Sequence, residues 1–470
     1  MRHTKIVATL GPATDDAEVL GALVAAGLDV ARLNASHAGP AELATRLEAI
    51  RQASEQAGRP IAVMLDLAGS KLRVGDIGEG TRLVEGERFV LTSAEVVGDS
   101  GRANINYEGL AKDVSIDDRI LLDDGHIELI VESSGGEEVV TRVVVGGELS
   151  SHKGVNVPGV NLGVESVTRY DRAMVEWAIA KGVDLVAQSF VRHADDIRSL
   201  KTLMRDTPIP VVAKIEKYEA IEGLEEIVRA ADAVMIARGD LGVETAVESV
   251  PVLQRRILSV SRASGTPVIV ATQMLESMTH ASRPTRAESS DVANAIFDQV
   301  DAVMLSGETA VGDHPALVVE TMRKIVTSAE GSVHDMPAEA VYRSGGARHD
   351  VPEALSAAVC DLAQDLDLAA IITATQSGAT ARSVVRHRPM TPVVAATPYE
   401  AVARSLQIVW GVHPVVVPLA DDTDEMIESV VAATRDRGLV SPGDRVVVTA
   451  GISTRVQGAT DLILVRIVPE

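Results

Sequence analysis

Two carboxylates and one amine carry the strongest chemical signal in this sequence. Glu216 ends the apolar run Val211 to Glu216 (VVAKIE), and Asp240 ends the run Ala233 to Asp240 (AVMIARGD). If both runs are strands and neighbours in a sheet, their backbones lie ~4.8 Å apart. Two carboxylates that close repel and shift their pKa values unless a cation lies between them. The donors are oxygens and no cysteine is near, so the cation expected is hard, Mg²⁺ or Mn²⁺ rather than Zn²⁺. The alternative is that Lys214 or Arg238 neutralises the pair directly. Lys214 lies two residues before Glu216 and so on the same face of the strand. An ammonium beside a bound metal would steady a phosphoryl group or an enolate oxygen. Gly239 and Asp240, followed by Leu241 and Gly242, offer backbone N–H groups to a carboxylate or phosphate, a signal that many ordinary turns share.

Other runs end in the same unusual way. Arg32, Asn34, Ser36 and His37 follow one run, Asp66, Lys71 and Arg73 another, and Ser189 and Arg192 a third. Arg238 precedes Gly239, Thr272 and Gln273 close a further run, and Ser306 and Glu308 the last. Charged groups rarely end buried strands without partners. One such residue is as easily a satisfied ion pair as a site; seven such ends together point to a site.

Composition limits the setting. The chain of 470 residues is 46% hydrophobic, carries a formal net charge of −23 and has one cysteine, Cys360. That charge argues against nucleic acid as a partner. No apolar run reaches the ~18–20 residues that span a bilayer, and no signal-peptide pattern opens the sequence, so a cytoplasmic protein without membrane contact is expected. Aromatics are only 2%, leaving few surfaces on which bases could stack.

The elements that must position these groups form a repeated pattern. Eight β-branched runs, Thr4 to Gly11, Asp29 to Asn34, Pro60 to Leu67, Leu185 to Phe190, Val211 to Glu216, Ala233 to Asp240, Pro267 to Gln273 and Asp301 to Glu308, alternate with helical stretches. Such runs predict a parallel sheet covered by helices, and eight in a row predict an α/β fold, a closed (β/α)₈ TIM barrel. Helices are predicted over Asp16 to Ala26 and Glu42 to Gln56, with Gly27 and Gly58 as stops. Short alternating runs between the third and fourth strands predict an inserted small β-barrel, an all-β lid over the barrel mouth. After a linker around Met336 to Asp350, five more runs predict an open-sheet α/β domain. The expected divisions are 1–72 and 161–335 for the barrel, 73–160 for the lid and 345–470 for the C-terminal domain.

The motifs KIVATLGPAT, ARLNASHA, AKIEKYEAI, IARGDLGVE, ATQMLESM, RPTRAESSDVANAI and MLSGET resemble, in combination, the pyruvate kinase family. The resemblance spans most of the first 330 residues and the general plan of the rest. It implies a cytoplasmic, glycolytic enzyme, a homotetramer, that moves phosphate from phosphoenolpyruvate to ADP, giving pyruvate and ATP. It implies that Glu216 and Asp240 bind the divalent ion, that Lys214 supports phosphoryl transfer, and that the Gly239 and Asp240 amides take the substrate carboxylate. Thr272 would lie on the face where the enolate is protonated. Arg32 and Arg73 would meet phosphate oxygens, with Asn34 and His37 on the nucleotide side.

Several positions depart from the family's common pattern. Where many members read D-T-K-G-P-E-I-R, this chain reads Asp66-Leu67-Ala68-Gly69-Ser70-Lys71-Leu72-Arg73. In the region of the monovalent cation, formed by Asn34, Ser36, Asp66, Leu67 and Lys71, a fixed ammonium thus stands where a Glu accompanies K⁺. One positive charge can take the electrostatic role of the other, so K⁺ is expected to be dispensable. On the nucleotide side, Arg169 and Tyr170 stand in a T-E-K-D-like run and Val311 stands where Lys is common. Two other classes therefore stay open: a weakened homologue that senses metabolites, and a metal-dependent lyase or aldolase acting on 2-oxo acids.

In the C-terminal domain, Thr375, Ser377, Gly378 and Thr380 lie between a strand and a helix, where hydroxyls and N–H groups suit an anion. The family places a sugar-phosphate effector at a corresponding loop; a sugar phosphate or nucleotide is expected, with a plain capped helix as the alternative. Asp123, Asp124 and His126 read as a turn, and Met274, Met278 and Cys360 as packing.

Overall fold

The computed structural model describes residues 2–333, 351–420, 422–451 and 462–470. The linker Met336 to Asp350 and the loop Ile452 to Gly458, both singled out in the sequence, lie outside the described residues. The eight apolar runs form the strands Lys5–Leu10, Val30–Asn34, Ala62–Asp66, Leu185–Gln188, Val211–Ile215, Ala233–Ala237, Val268–Ala271 and Ala302–Leu305. They follow one another in chain order round a closed barrel. The first, third, fifth and sixth are buried at every residue, as strands with a filled interior and helices outside must be. The expected helices are Ala17–Ala26 and Pro40–Gln56. Asp16 caps the first, accepting from the Glu18 and Val19 amides, and Gly27 at φ +116° ends it in a conformation that glycine adopts without strain.

By its contacts the chain divides into two compact units, Met1–Leu65 with Lys181–Val186 and Ser261–Glu470, and Asp66–Ala180 with Ala187–Val260.

At the N-terminal ends of the strands one device recurs four times. An aspartate stands immediately before each even-numbered strand: Asp29, Asp184, Asp232 and Asp301. Its carboxylate accepts the N–H of Ile6, Val63, Val211 or Val268 on the preceding strand, at 2.8, 2.7, 2.8 and 2.9 Å. Each has a cationic partner. Asp29 meets Arg2, with Arg59 at 3.5 Å. Asp184 is gripped by Arg51 at 2.8 Å and Arg404 at 2.7 Å. Asp232 pairs with Lys201 at 2.8 Å and Asp301 with Arg388 at 3.0 Å. Arg388 and Arg404 belong to the C-terminal domain, whose five-stranded sheet runs Val412–Val416, Val393–Thr397, Ala370–Ala374, Arg445–Ala450, Leu462–Ile467, with only the last pairing antiparallel. Arg388 also lies 4.8 Å from the Trp410 ring centre, and Lys5 reaches the Val412 carbonyl at 2.6 Å.

In the second unit, the inserted module is a seven-stranded sheet from Leu72–Arg73 to Arg102–Asn104. Its two edges meet through a Val74–Ile105 bridge and an Asn106 N–H to Arg73 carbonyl bond of 3.2 Å, so the sheet curls towards closure. The core includes Phe89, Leu91, Ile120, Leu129 and Val139, all buried. Two details differ from a stack of hairpins: Arg88–Thr92 pairs with Arg102–Asn104 in parallel, and a one-turn helix, Leu110–Asp113, interrupts the β-structure. Asp123 and Asp124 form the expected turn, at φ +51° and +53°.

Asp184 is 1% exposed between two arginines. Asp184→Ala should therefore cost about 2–3 kcal/mol by leaving the Val63 N–H without its acceptor and removing the carboxylate that Arg51 and Arg404 share. Asp232→Ala, whose partner Lys201 is partly exposed, should cost about 1 kcal/mol; urea denaturation of both variants checks the order. Burial, opposed by Asp29, lowers the Lys5 pKa from 10.5 to about 8. Between those pH values the unfolded chain holds a proton that the folded chain has released, so stability rises with pH there. Lys5→Met should flatten that rise in denaturation measured from pH 8 to 10.5.

Candidate active site

The fifth strand delivers Lys214 from a buried stretch to a strand end where no water can solvate it fully. Its Nζ lies 2.7 Å from Ser189 Oγ, 2.9 Å from Glu216 Oε1 and 3.3 Å from Asp66 Oδ1. Both carboxylates are 1% exposed. Ser189 donates in turn to the Leu67 carbonyl at 2.8 Å. One ammonium thus holds the ends of three strands. Asp66, which the sequence placed with the monovalent cation, is here a partner of Lys214.

Glu216 is oriented from its other side. Phe190 adopts φ +55°, which aims its N–H at Glu216 Oε2, 2.8 Å away. Gly69 makes this possible: at φ +65° it packs so closely that an added Cβ would stand 2.8 Å from the Phe190 ring and 2.9 Å from Ser189 Cβ. The Gly69 N–H is held by Asp171 at 3.1 Å.

Asp240 pairs with Lys71 at 3.2 Å, so Lys71 does not point into solvent. Gly154 leaves the path open, since a Cβ there would lie 3.1 Å from Lys71 Cε. Gly239 and Asp240 fall in the first turn of a short helix, Arg238–Glu244, rather than in a free turn. At its far end Glu244 accepts from Asn156 Nδ2 at 2.6 Å and pairs with Lys217 at 2.5 Å. This ties the last lid strand to the helix that carries Asp240, and sequence spacing did not reveal it.

Formally, three carboxylates face two ammoniums in this cluster. Burial pushes the Glu216 carboxyl upward, against the pull of Lys214, and the Asp240 charge adds to the rise. The Lys214 ammonium, 2.9 Å from Glu216 Oε1, offsets that cost only in part. A site that bears its negative charge at such cost fits a hard cation. Among the described residues no three His, Cys, Asp or Glu gather as a full cage; Mg²⁺ is ordinarily held by one or two carboxylates, with water and phosphate completing its shell.

In the other unit, Arg32 is buried and donates to Thr9 Oγ1 at 2.9 Å, while Thr9 donates to the Leu305 carbonyl. Asn34 accepts the Ser36 N–H at 3.0 Å, and the His37 N–H reaches the Asn34 carbonyl at 3.3 Å. Thr272 and Gln273 have φ +67° and +55°. For a β-branched residue that conformation costs roughly 1–3 kcal/mol and is characteristic of functional positions. Glu308, by contrast, is fully used in tying loops: it accepts the Ser306 and Leu275 N–H groups at 2.7 and 3.2 Å. Arg73 donates to the His152 carbonyl at 2.9 Å. Leu67 is buried, and Tyr170 and Val311 are exposed.

A family model of the pyruvate kinase barrel domain matches residues 1–319, and one of the pyruvate kinase alpha/beta domain matches residues 353–466. The chain belongs to the pyruvate kinase family. It is 42% identical to pyruvate kinase of Geobacillus stearothermophilus, over all of this chain and 81% of that protein. It is 44% identical to pyruvate kinase 2 of a Synechocystis species, over 99% of this chain and 79% of that one. To the pyruvate kinase of Mycobacterium intracellulare it is 42% identical, over all of this chain and 99% of that protein. Members are phosphotransferases, and the barrel with its C-terminal α/β domain is the expected architecture. No helix among the described residues is long and apolar enough to cross a membrane.

The C-terminal loop that the sequence offers as an effector candidate satisfies much of its own chemistry. Thr375 Oγ1 accepts the Gly378 N–H at 2.9 Å, Ser377 Oγ accepts the Ala379 N–H at 3.4 Å, and Arg382 reaches the Ser377 carbonyl at 3.1 Å. Thr380 is buried. Met274 and Met278 are core, and burial raises the Cys360 thiol to about 12, which leaves it inert as a nucleophile.

Gly69→Ala should displace the Phe190 ring, turn its N–H from Glu216 and lower kcat/KM by about 10–100-fold, the usual effect of losing a group that orients a ligand-bearing carboxylate. Steady-state kinetics beside a thermal melt would show this as lost activity in a folded protein.

Proposed function

We propose that the chain transfers the phosphoryl group of phosphoenolpyruvate to ADP, giving pyruvate and ATP in glycolysis, with Mg²⁺ or Mn²⁺ as cofactor and without a need for K⁺. The observation that carries this reading is the ammonium of Lys214 set between buried Glu216 and Asp66, with Asp240 in the same cluster. Glu216 and Asp240 would hold the dication, which when bound supplies positive charge to the phosphoryl and enolate oxygens. Phosphoryl transfer asks for positioning and charge neutralisation rather than covalent help, and these residues are suited to both. Lys214 steadies the transferring group. The Gly239 and Asp240 amides orient the substrate carboxylate, Arg32 and Arg73 take phosphate oxygens, and Asn34 and His37 serve the nucleotide. From the family likeness, Thr272 would serve the face on which the enolate receives its proton. The inserted domain excludes water, which would otherwise hydrolyse the donor.

Lys71 supports the K⁺-independent reading, because it already places a fixed positive charge on Asp240. From the family likeness the same reading includes a cytoplasmic homotetramer and an effector of sugar-phosphate or nucleotide type near Thr375, Ser377, Gly378 and Thr380.

In a coupled assay, pyruvate should form only with phosphoenolpyruvate, ADP and divalent metal all present, and chelation should abolish it. Lys214→Met should lose on the order of 10²–10³-fold in kcat. Pyruvate formed without ADP would instead indicate a lyase. Full activity is expected in tetramethylammonium buffer free of Na⁺ and K⁺; recovery only on adding KCl would refute the role given to Lys71.

A further inference from the structure

The chain crosses between barrel and lid twice, and the second crossing is held in an unusual way. Leu162 packs into the lid core, with Val160 and Val164 against it. Between them the Gly163 N–H is accepted by Asp113 of the lid at 2.8 Å, and Asp113 also receives the Tyr107 hydroxyl. The flanking carbonyls turn the other way. Leu162 O and Val164 O accept from Nη1 and Nη2 of Arg192, at 2.6 and 2.8 Å. Arg192 follows the fourth barrel strand. Three successive residues are therefore gripped alternately, their amide by the lid and their carbonyls by the barrel.

Packing holds this segment to the lid core, and hydrogen bonds from Arg192 hold it to the barrel. Leu162, Val164, Phe190 and Arg192 line a common cavity, together with Lys71 and Lys217. Arg192 is fixed at its own base, because Asp196 accepts the Arg192 and His193 N–H groups at 2.9 and 3.1 Å. Two residues before it stands Phe190, whose N–H orients Glu216. The path from the lid crossing to that carboxylate is thus one side chain and three residues of backbone.

We propose that Arg192 is a positioning residue: it transmits the placement of the lid's return crossing to Glu216 through the backbone of residues 190–192. This rests on the reading of Glu216 as a ligand of the divalent ion. The other crossing has its own link, since Lys71 pairs with Asp240. Each carboxylate is therefore connected to one of the two strands of chain that carry the lid. Arginine suits the role because its planar fork meets two carbonyls at once, which a lysine ammonium on a flexible stem does less well.

The test titrates the full-length protein with Mn²⁺ alone, without substrate, and follows amide hydrogen exchange over residues 160–166 and 189–192. Arg192→Met should weaken Mn²⁺ binding by about 10–100-fold, as loss of an outer partner of a metal ligand does. It should speed exchange in both segments. Arg192→Lys, which keeps the charge and loses the fork, should fall between, and it carries the test if Arg192→Met does not fold. Faster exchange at 160–166 with unchanged exchange at 189–192 and unchanged Mn²⁺ affinity would overturn the proposal, leaving Arg192 a local brace. Wild-type protein that binds no Mn²⁺ would overturn the metal reading itself; wild-type binding with unaltered variants would overturn only the role of Arg192.

Discussion

The candidate site depends on one ammonium shared among three acceptors. Lys214 faces Ser189, Glu216 and Asp66 within 3.3 Å, and each comes from a different barrel strand or strand end. A buried cation with a single carboxylate would be marginal, because desolvation roughly cancels the attraction. With two carboxylates and a hydroxyl it is over-satisfied, and the excess negative charge is what invites a second cation. Structure and the proposed chemistry share one interaction here: the group that fixes three strand ends is the one that would balance charge for a dication and an anionic substrate.

Much of this was legible because strand ends advertise their chemistry. Charged residues that close apolar runs need partners there, so Lys214, Glu216 and Asp240 stand out in the sequence alone. The barrel was legible for a similar reason, since eight near-continuous apolar runs alternating with helices admit few arrangements. Partnership was less so. The family resemblance places Asp66 with the monovalent cation, but nothing in the sequence shows that it also lies 3.3 Å from the Lys214 ammonium. The left-handed conformations of Phe190 and Thr272 left no trace either, because neither residue is glycine. The parallel pairing inside the lid was hidden because short alternating runs look alike whichever way they pair.

The links made by Asn156, Glu244 and Arg192 share a cause of invisibility. Each joins segments about 30 or more residues apart through one side chain, and no local pattern encodes such a meeting. They are also what makes the inserted module more than a passive cover. Its last strand is tied to the helix bearing Asp240 and its return segment to the backbone behind Glu216. If the module closes over substrate as proposed, such ties would let closure and the geometry of the carboxylates change together.

The four aspartates at the opposite ends of the strands have a further consequence. Sliding one strand past its neighbour by a single residue would exchange every interior side chain for one meant to face the helices. A carboxylate that holds the amide of the adjacent strand forbids that slip at the start of the pairing. Asp29, Asp184, Asp232 and Asp301 do so at alternate seams, four of the barrel's eight. The other seams are held by the backbone ladder, as where the Ala62 N–H meets the Asp29 carbonyl at 3.1 Å. The alignment of the strands therefore does not rest on Lys71 and Asp240 at the opposite rim.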